Sequence, residues 1–359
     1  MILAGDIGGT KTHLALFEWK SERVEPIREE TFHSGDYPSL EDILEEFLNR
    51  PEPDAGTVPE AHEAGDSEDA AASAQIAPGP RLVLDAACMG VAGPVIDNRC
   101  RTTNLPWVID GPAIGERFNI ANVRLLNDLE ATAYGILLLR DDEVFILNAG
   151  TAPKQRQALA LIAAGTGLGE SILFWDGTAY RPMPSEGGHA DFAPNSDNEI
   201  ELLRHLRGSY LHVSYERVLS GPGLHAIYDY LRDTKKNEPT WLAEKIKVED
   251  PAATIAQAGL SGKVEIAKQA LDLFASIYGA EAGNLALKAL ALDGVYVGGG
   301  IAPKLIEKLK DGTFMRAFVN KGRYKRLMST IPVKVVMNSK TGLLGAASVA
   351  GRMATAVPS

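Results

Sequence analysis

Apolar and polar positions follow two regimes along this chain. "ILAGDI" near the N-terminus is a short, nearly continuous apolar run, "THLALFEW" is a second, and a third extended stretch lies around Pro26–His33. All three have the length and β-branched or aromatic content of strands. The spacing becomes helical in "SLEDILEEFL" (Ser39–Leu48), which has a serine at its start and acidic residues in its first turn. "RLVLDAACMGVAGPV" reads as a buried strand stopped by Gly-Pro, and "VRLLNDLEATAYGILLL" as a strand that becomes a helix at Asn127-Asp128.

The same order then restarts. "ALALIAAG" and "GESILFWDG" are strands on either side of the turn "GTGLG" (Gly165–Gly169). Helical spacing marks "EIELLRHL", "GLHAIYDYL" and a long stretch from about Val264 to Leu290. "DGVYVGGGIAPKLIEKL" reads as strand, glycine turn and helix, "IPVKVVM" as a further strand, and "GLLGAASVAGRMA" as a closing helix. A strand, a glycine turn, a strand and then a helix thus occur twice, a weak internal pseudo-repeat. Two α/β halves of this kind predict that both glycine turns face one cleft.

At 359 residues, 45% hydrophobic and 23% charged, the chain has enough material for two soluble domains. No apolar run reaches the roughly 18 residues of a membrane span. Asp6 breaks any secretion-signal layout, so a cytoplasmic protein is expected. Cys88 and Cys100 have no C-x-x-C spacing, which excludes a disulfide framework or zinc site and fits a reducing compartment. The net charge is −11, but residues 51–80 hold seven acidic residues and no Lys or Arg, leaving −4 for the rest. That Ala-, Pro- and Gly-rich segment is nearly free of large apolar groups and reads as a disordered insertion, with an acidic partner-binding role as the alternative. No basic patch points to nucleic acid.

"GDIGGTKT" (Gly5–Thr12) nearly matches the P-loop G-x-x-x-x-G-K-[ST], with Thr10 where the second glycine belongs. A P-loop needs a helix directly after its lysine, and "THLALFEW" favours a strand. Gly8-Gly9 therefore forms a hairpin whose bare backbone lets amides approach a phosphate, and Asp6 beside it makes sense if Mg²⁺ lies between them, through water. An ordinary hairpin also needs the glycines, though neither Asp6 nor Thr10. "AAGTGLGES" superficially resembles a dinucleotide fingerprint, but its third glycine comes early and a strand follows; it reads as a second phosphate hairpin. "VYVGGGIAPK" offers a flat surface for a base or ribose, or simply a tight helix–strand contact.

Asp128 is either a helix N-cap or a carboxylate at the C-terminal end of a strand, where open α/β sheets bind ligands and a base could take a hydroxyl proton. In "SEGGHADF" and "YERVLSGPG", Glu186, His189 and Glu216 lie beside glycine turns and suit vicinal sugar hydroxyls. A structural histidine is the plainer alternative for His189; zinc is disfavoured, with no H-x-x-x-H and no nearby cysteine.

The ordered set "GDIGGTK", "TTNLPW", "LLNDLEATAYGI", "AAGTGLG", "SEGGHADFAPNS", "ERVLSGPGL" and "GGGIAPK" is more specific than any member. By it the chain resembles bacterial glucokinases, within the fold of actin, hexokinase and the heat-shock chaperone ATPases, over nearly its whole length outside residues 51–80. The resemblance implies an α/β protein of two ribonuclease-H-like domains around a central cleft: residues 1–138, with a helix at about 342–359 packing back on them, and residues 139–341. It implies that Gly5, Asp6, Ile7, Gly8, Gly9 and Thr10 form the first phosphate hairpin, with Asp6 organising Mg²⁺. Gly165, Thr166 and Gly167, in the turn that runs to Gly169, would form the second, and Gly298, Gly299 and Gly300 part of an adenosine platform. Asn127, Asp128, Glu186, His189 and Glu216 would hold glucose, and Asp128 would deprotonate its 6-hydroxyl. ATP and Mg²⁺ as cofactors, a homodimer, and domain closure over the sugar follow as expectations, with no nucleic-acid or membrane partner.

Three features depart from the family pattern. Ser185 stands where many relatives carry glycine, Lys11 where some carry asparagine, and the acidic insertion has no counterpart. The cysteine cluster of the zinc-binding ROK sugar kinases is missing. Another hexose, a polyphosphate donor, or a sugar sensor without turnover remain as rivals; an actin-like filament or chaperone has no use for the "SEGGH" loop.

Overall fold

The computed structural model describes residues 1–20, 23, 25–50, 82–102, 105–151, 153–235 and 237–355. The acidic segment 51–80 and residues 103–104 of "TTNLPW" lie outside the described residues. The chain divides into two compact units, Met1–Asp128 with Ala346–Ser359, and Leu129–Gly345.

In the first unit β1 (Ile2–Ile7), β2 (Lys11–Phe17) and β3 (Arg28–His33) form an antiparallel meander, and β4 (Ala86–Val91) pairs with β1 in parallel. A small ribbon of β5 (Val95–Ile96), β6 (Arg99–Arg101) and β7 (Val108–Asp110) precedes β8 (Asn122–Asn127), which pairs with β4 in parallel. The sheet order is β3-β2-β1-β4-β8. β1 and β4 read as unbroken apolar runs because central strands are buried on both faces. The helix Leu40–Asn49 turns Leu40, Ile43, Leu44 and Phe47 into this core, and Ser39 caps it by accepting from Asp42 N at 3.3 Å. The β5–β6 turn is Asp97-Asn98, both with positive φ, as a two-residue hairpin demands. Asn98 then clamps β8, donating to Val123 O at 2.8 Å and accepting from Leu125 N at 2.7 Å.

The second unit repeats the plan. β9 (Val144–Asn148) is an added edge; β10 (Leu159–Ala164), β11 (Leu168–Trp175) and β12 (Tyr180–Ser185) form the meander; β13 (Gly294–Gly298) and β14 (Val333–Val336) follow in parallel. The order β12-β11-β10-β13-β14-β9 matches the first sheet strand for strand, with β9 appended antiparallel to β14. The helix Glu265–Ala289 is buried around most of its circumference, with Phe274 and Tyr278 fully enclosed. Among the described residues no helix is long and apolar enough to cross a membrane. Cys88 and Cys100 are buried, and neither forms a disulfide among the described residues.

"DGVYVGGGIAPKLIEKL" forms the strand, glycine turn and helix read from its sequence. After β13 the chain makes turns through residues 299–305, and the helix starts only at Ile306, running to Lys310. Gly299 holds φ +80°, outside helical space, and Pro303 lacks the N–H that a continuing helix needs.

Candidate active site

In the first unit the parallel strands β1, β4 and β8 end side by side, the edge at which open α/β sheets take ligands. The β1–β2 turn stands at this edge. Gly8 N donates to Lys11 O at 2.9 Å and closes a tight hairpin over Gly9 and Thr10, and β2 continues where a P-loop would have its helix. The turn is braced from a distance: Ser34 Oγ donates to Gly8 O at 2.9 Å, Ser34 N donates to Thr10 O at 3.0 Å, and the Ser34 and Thr12 hydroxyls are 3.0 Å apart. Thr12 and Ser34 are both fully buried. Lys11 is exposed at the start of β2.

Asp6 precedes this turn, level with His13 on β2 and Gly90 on β4. Burial raises its carboxyl to about 6, and the nearby Asp128 carboxylate adds to the shift. Asp128 is exposed and opens the helix Asp128–Gly135, directly after β8 ends at Asn127. Asn127 Nδ2 donates to Gly93 O at 3.1 Å, which ties the end of β8 to the loop after β4. Asp6, Asn127 and Asp128 thus belong to one strand-end edge.

The second unit gathers the other predicted residues. Gly165 N donates to Gly167 O at 2.8 Å and tightens the β10–β11 turn. Glu216, in the short helix Tyr215–Arg217, accepts from Leu168 N at 3.1 Å through Oε2, and its Oε1 lies 4.0 Å from His189 Nδ1. His189 Nε2 lies 3.8 Å from Glu186 Oε2. Glu186, His189 and Glu216 therefore form one polar cluster, and Glu216 joins it to the backbone of the hairpin. The glycines of "SEGGH" are there for contact: a Cβ on Gly187 would run into the Glu170 side chain, and one on Gly188 into Leu168 O.

The turn after β13 also meets this hairpin. Ile301 N donates to Ala164 O at 3.2 Å, and a Cβ on Gly299 would overlap the Ala164 backbone. Gly221 N, opening the helix Gly221–Lys235, donates to Gly165 O at 2.9 Å. Gly165–Gly167 and Gly298–Gly300 are thereby held together.

Several supporting residues escaped the sequence reading. Tyr278 OH accepts from Ala164 N at 3.2 Å, and the hydroxyl lies 3.3 Å from Gly298 O. Ser220 donates to Glu216 O at 2.8 Å and accepts from Gly223 N at 3.0 Å, capping the next helix. Ser34 and Tyr278 carry no local signal, whereas the serine of "LSGPG" before a helix was a legible cap.

The glucokinase family model matches residues 3–353 of the chain. Curated glucokinases of Synechocystis sp. and Nostoc sp. are 42% and 39% identical to it; each alignment covers 98% of the chain, and 98% and 99% of the respective relative. A glucokinase from an Antarctic psychrotroph has a TM-score of 0.78 at 28% identity, covering 98% of both chains. A glucokinase of Balamuthia mandrillaris, solved in complex with glucose, shares the fold at 20% identity and a TM-score of 0.73.

Proposed function

The chain belongs to the glucokinase family, and on that premise we propose that it transfers the γ-phosphoryl group of ATP to the 6-hydroxyl of glucose, with Asp128 as general base. The observation that carries this reading is the Glu186–His189–Glu216 cluster, whose Glu216 carboxylate is bonded into a phosphate hairpin. Carboxylates that accept paired hydrogen bonds beside an imidazole suit vicinal sugar hydroxyls. Asn127 and Asp128 hold the reacting end of the sugar. Asp128 accepts the proton of the 6-hydroxyl as its oxygen bonds to the γ-phosphorus and the bond to ADP breaks.

Gly8 N and Gly165 N close their own turns, so the amides of Gly9–Thr10 and Thr166–Gly167 are the ones offered to the phosphates, and Gly298–Gly300 supports the adenosine. Asp6 fits a magnesium ion: its carboxylate is half-buried and, among the described residues, makes no hydrogen bond or ion pair. When bound through water there, Mg²⁺ supplies positive charge against the phosphate oxygens. The reading includes a homodimer working in the cytoplasm.

The test is purified protein with glucose and Mg-ATP, the product identified as glucose 6-phosphate, beside a panel of hexoses and polyphosphate. Robust turnover of glucose with ATP is expected. Preference for another hexose or for polyphosphate would replace the substrate assignment, and glucose binding without turnover would make the protein a sensor.

A further inference from the structure

Beneath the sugar cluster lies a buried polar group that the proposed chemistry does not use. Glu170 on β11 is 2% exposed, and Glu281, on the helix Glu265–Ala289, is completely enclosed. The two carboxyls are near enough for the charge of Glu281 to act on Glu170. Glu281 is paired with Lys288 whereas the Glu170 carboxyl forms no ion pair among the described residues, so Glu281 carries the charge and Glu170 holds a proton. Glu170 Oε1 is a buried oxygen without a hydrogen-bond partner among the described residues. Burial, and next the Glu281 charge, push the Glu170 carboxyl well above the ordinary range, to about 8, against the opposing pull of Lys288.

The pair is wired to the residues assigned to glucose. The Glu170 side chain fills the space against Gly187, inside the turn that carries Glu186 and His189, and Ser185 Oγ donates to Glu170 O at 2.9 Å. Glu281 accepts from Asn284 Nδ2 at 2.8 Å and pairs with Lys288 Nζ at 3.3 Å. Asn284 Nδ2 also donates to Tyr215 OH at 3.1 Å and so links Glu281 to Tyr215. Tyr215 is buried and directly precedes Glu216. The remaining ionisable groups around the pair are Tyr278, whose phenol burial keeps neutral, and Lys321, which donates to Ala280 O at 2.8 Å and faces Glu281, Lys288 and Glu199.

We infer that Glu170 is a positioning residue for glucose: as a neutral carboxylic acid buried beside Glu281, it braces the Gly187 turn and leaves Glu281 free to hold, through Asn284 and Tyr215, the Glu216 carboxylate. This inference rests on the reading of Glu186, His189 and Glu216 as the sugar ligands. Stability alone does not call for such a pair, because buried ionisable pairs are commonly matched or bettered by apolar side chains of similar volume. Loss of the proton would place two negative charges in one buried site and push the Gly187 turn and Tyr215 apart.

The test is the pH dependence of glucose KM and kcat, from about pH 6.5 to about 9.5, for the wild type and Glu170→Gln. In the wild type, glucose KM rises about tenfold above about pH 8, the scale of one lost charged hydrogen bond, while kcat and the KM for ATP change less. Glutamine is neutral and can donate, so Glu170→Gln keeps the neutral-pH KM and loses the alkaline rise. An unchanged alkaline rise in Glu170→Gln, or a tenfold higher KM for it at neutral pH, overturns the inference.

Infrared spectroscopy supplies a second readout. The wild type shows a protonated-carboxyl stretch at neutral pH that Glu170→Gln lacks; its absence from the wild type also overturns the inference. Should the variant fail to fold, the wild-type band must fade in step with the rise in KM, and a mismatch refutes the assignment. The band reads the proton whatever the substrate, so protein that keeps it but does not turn over glucose contradicts the functional reading alone.

Discussion

At Asp6, burial and the Asp128 charge act in the same direction, with burial the larger cause. The folded carboxyl titrates near 6 instead of 3.8, so the folded state binds the extra proton between those values. Its contribution to stability is therefore full below about pH 3.8 and is lost as pH rises through about 6. In Asp128→Asn the carboxyl midpoint of Asp6, read by carbon-13 NMR, moves down but stays above the ordinary value; an unmoved midpoint would remove Asp128 as a cause.

Glu216 divides its oxygens between Leu168 N and the side facing His189. Glu216→Ala leaves that amide without its acceptor and removes a proposed sugar ligand, so the KM values for glucose and ATP should both rise, glucose by roughly tenfold or more. His189→Ala should raise the glucose value alone. Steady-state kinetics with each substrate varied in turn distinguishes the two; equal effects of both variants on ATP would break the link between Glu216 and the hairpin.

Among elements, the glycine hairpins were the legible part. A glycine pair between two strand-type runs specifies a turn from local sequence, and the strand after Lys11 separated it from a P-loop. Its bracing was not legible, because Ser34 reaches Gly8 and Thr12 from more than twenty residues away. Ser34→Ala removes both hydroxyl contacts in a fully buried place and should cost about 1–3 kcal/mol. It should also raise the KM for ATP several-fold with little effect on glucose, as thermal unfolding and kinetics would report; an unchanged ATP value would mean that the hairpin holds its shape unaided. The segment after Gly298 was read correctly as a glycine turn and a helix; where the helix starts, at Ile306, is set by the Gly299 turn and the missing N–H of Pro303. β9 and β12 passed unread, since an edge strand with mixed burial gives no clean alternation.

On the scale of the molecule, the twofold pattern of strand, glycine turn and strand became two sheets with the same core order. Which strands pair in parallel could not be read from periodicity, because those partners lie far apart in sequence and are joined by crossovers. The motif order identified the family where no single motif could, and the candidate residues fall at an edge of the first unit and in a cluster of the second. As a homodimer, the protein should sediment near twice its 38.5 kDa chain mass at micromolar concentration; a species at the single-chain mass would refute that expectation.

The central claim is that Asp128 takes the proton from the 6-hydroxyl of glucose. Asp128→Asn keeps the size and much of the hydrogen bonding of the side chain but cannot accept that proton. Turnover of glucose with Mg-ATP is predicted to fall by about 10²–10⁴-fold, while calorimetric glucose affinity stays within a few-fold of wild type. Turnover close to that of the wild type would contradict the account.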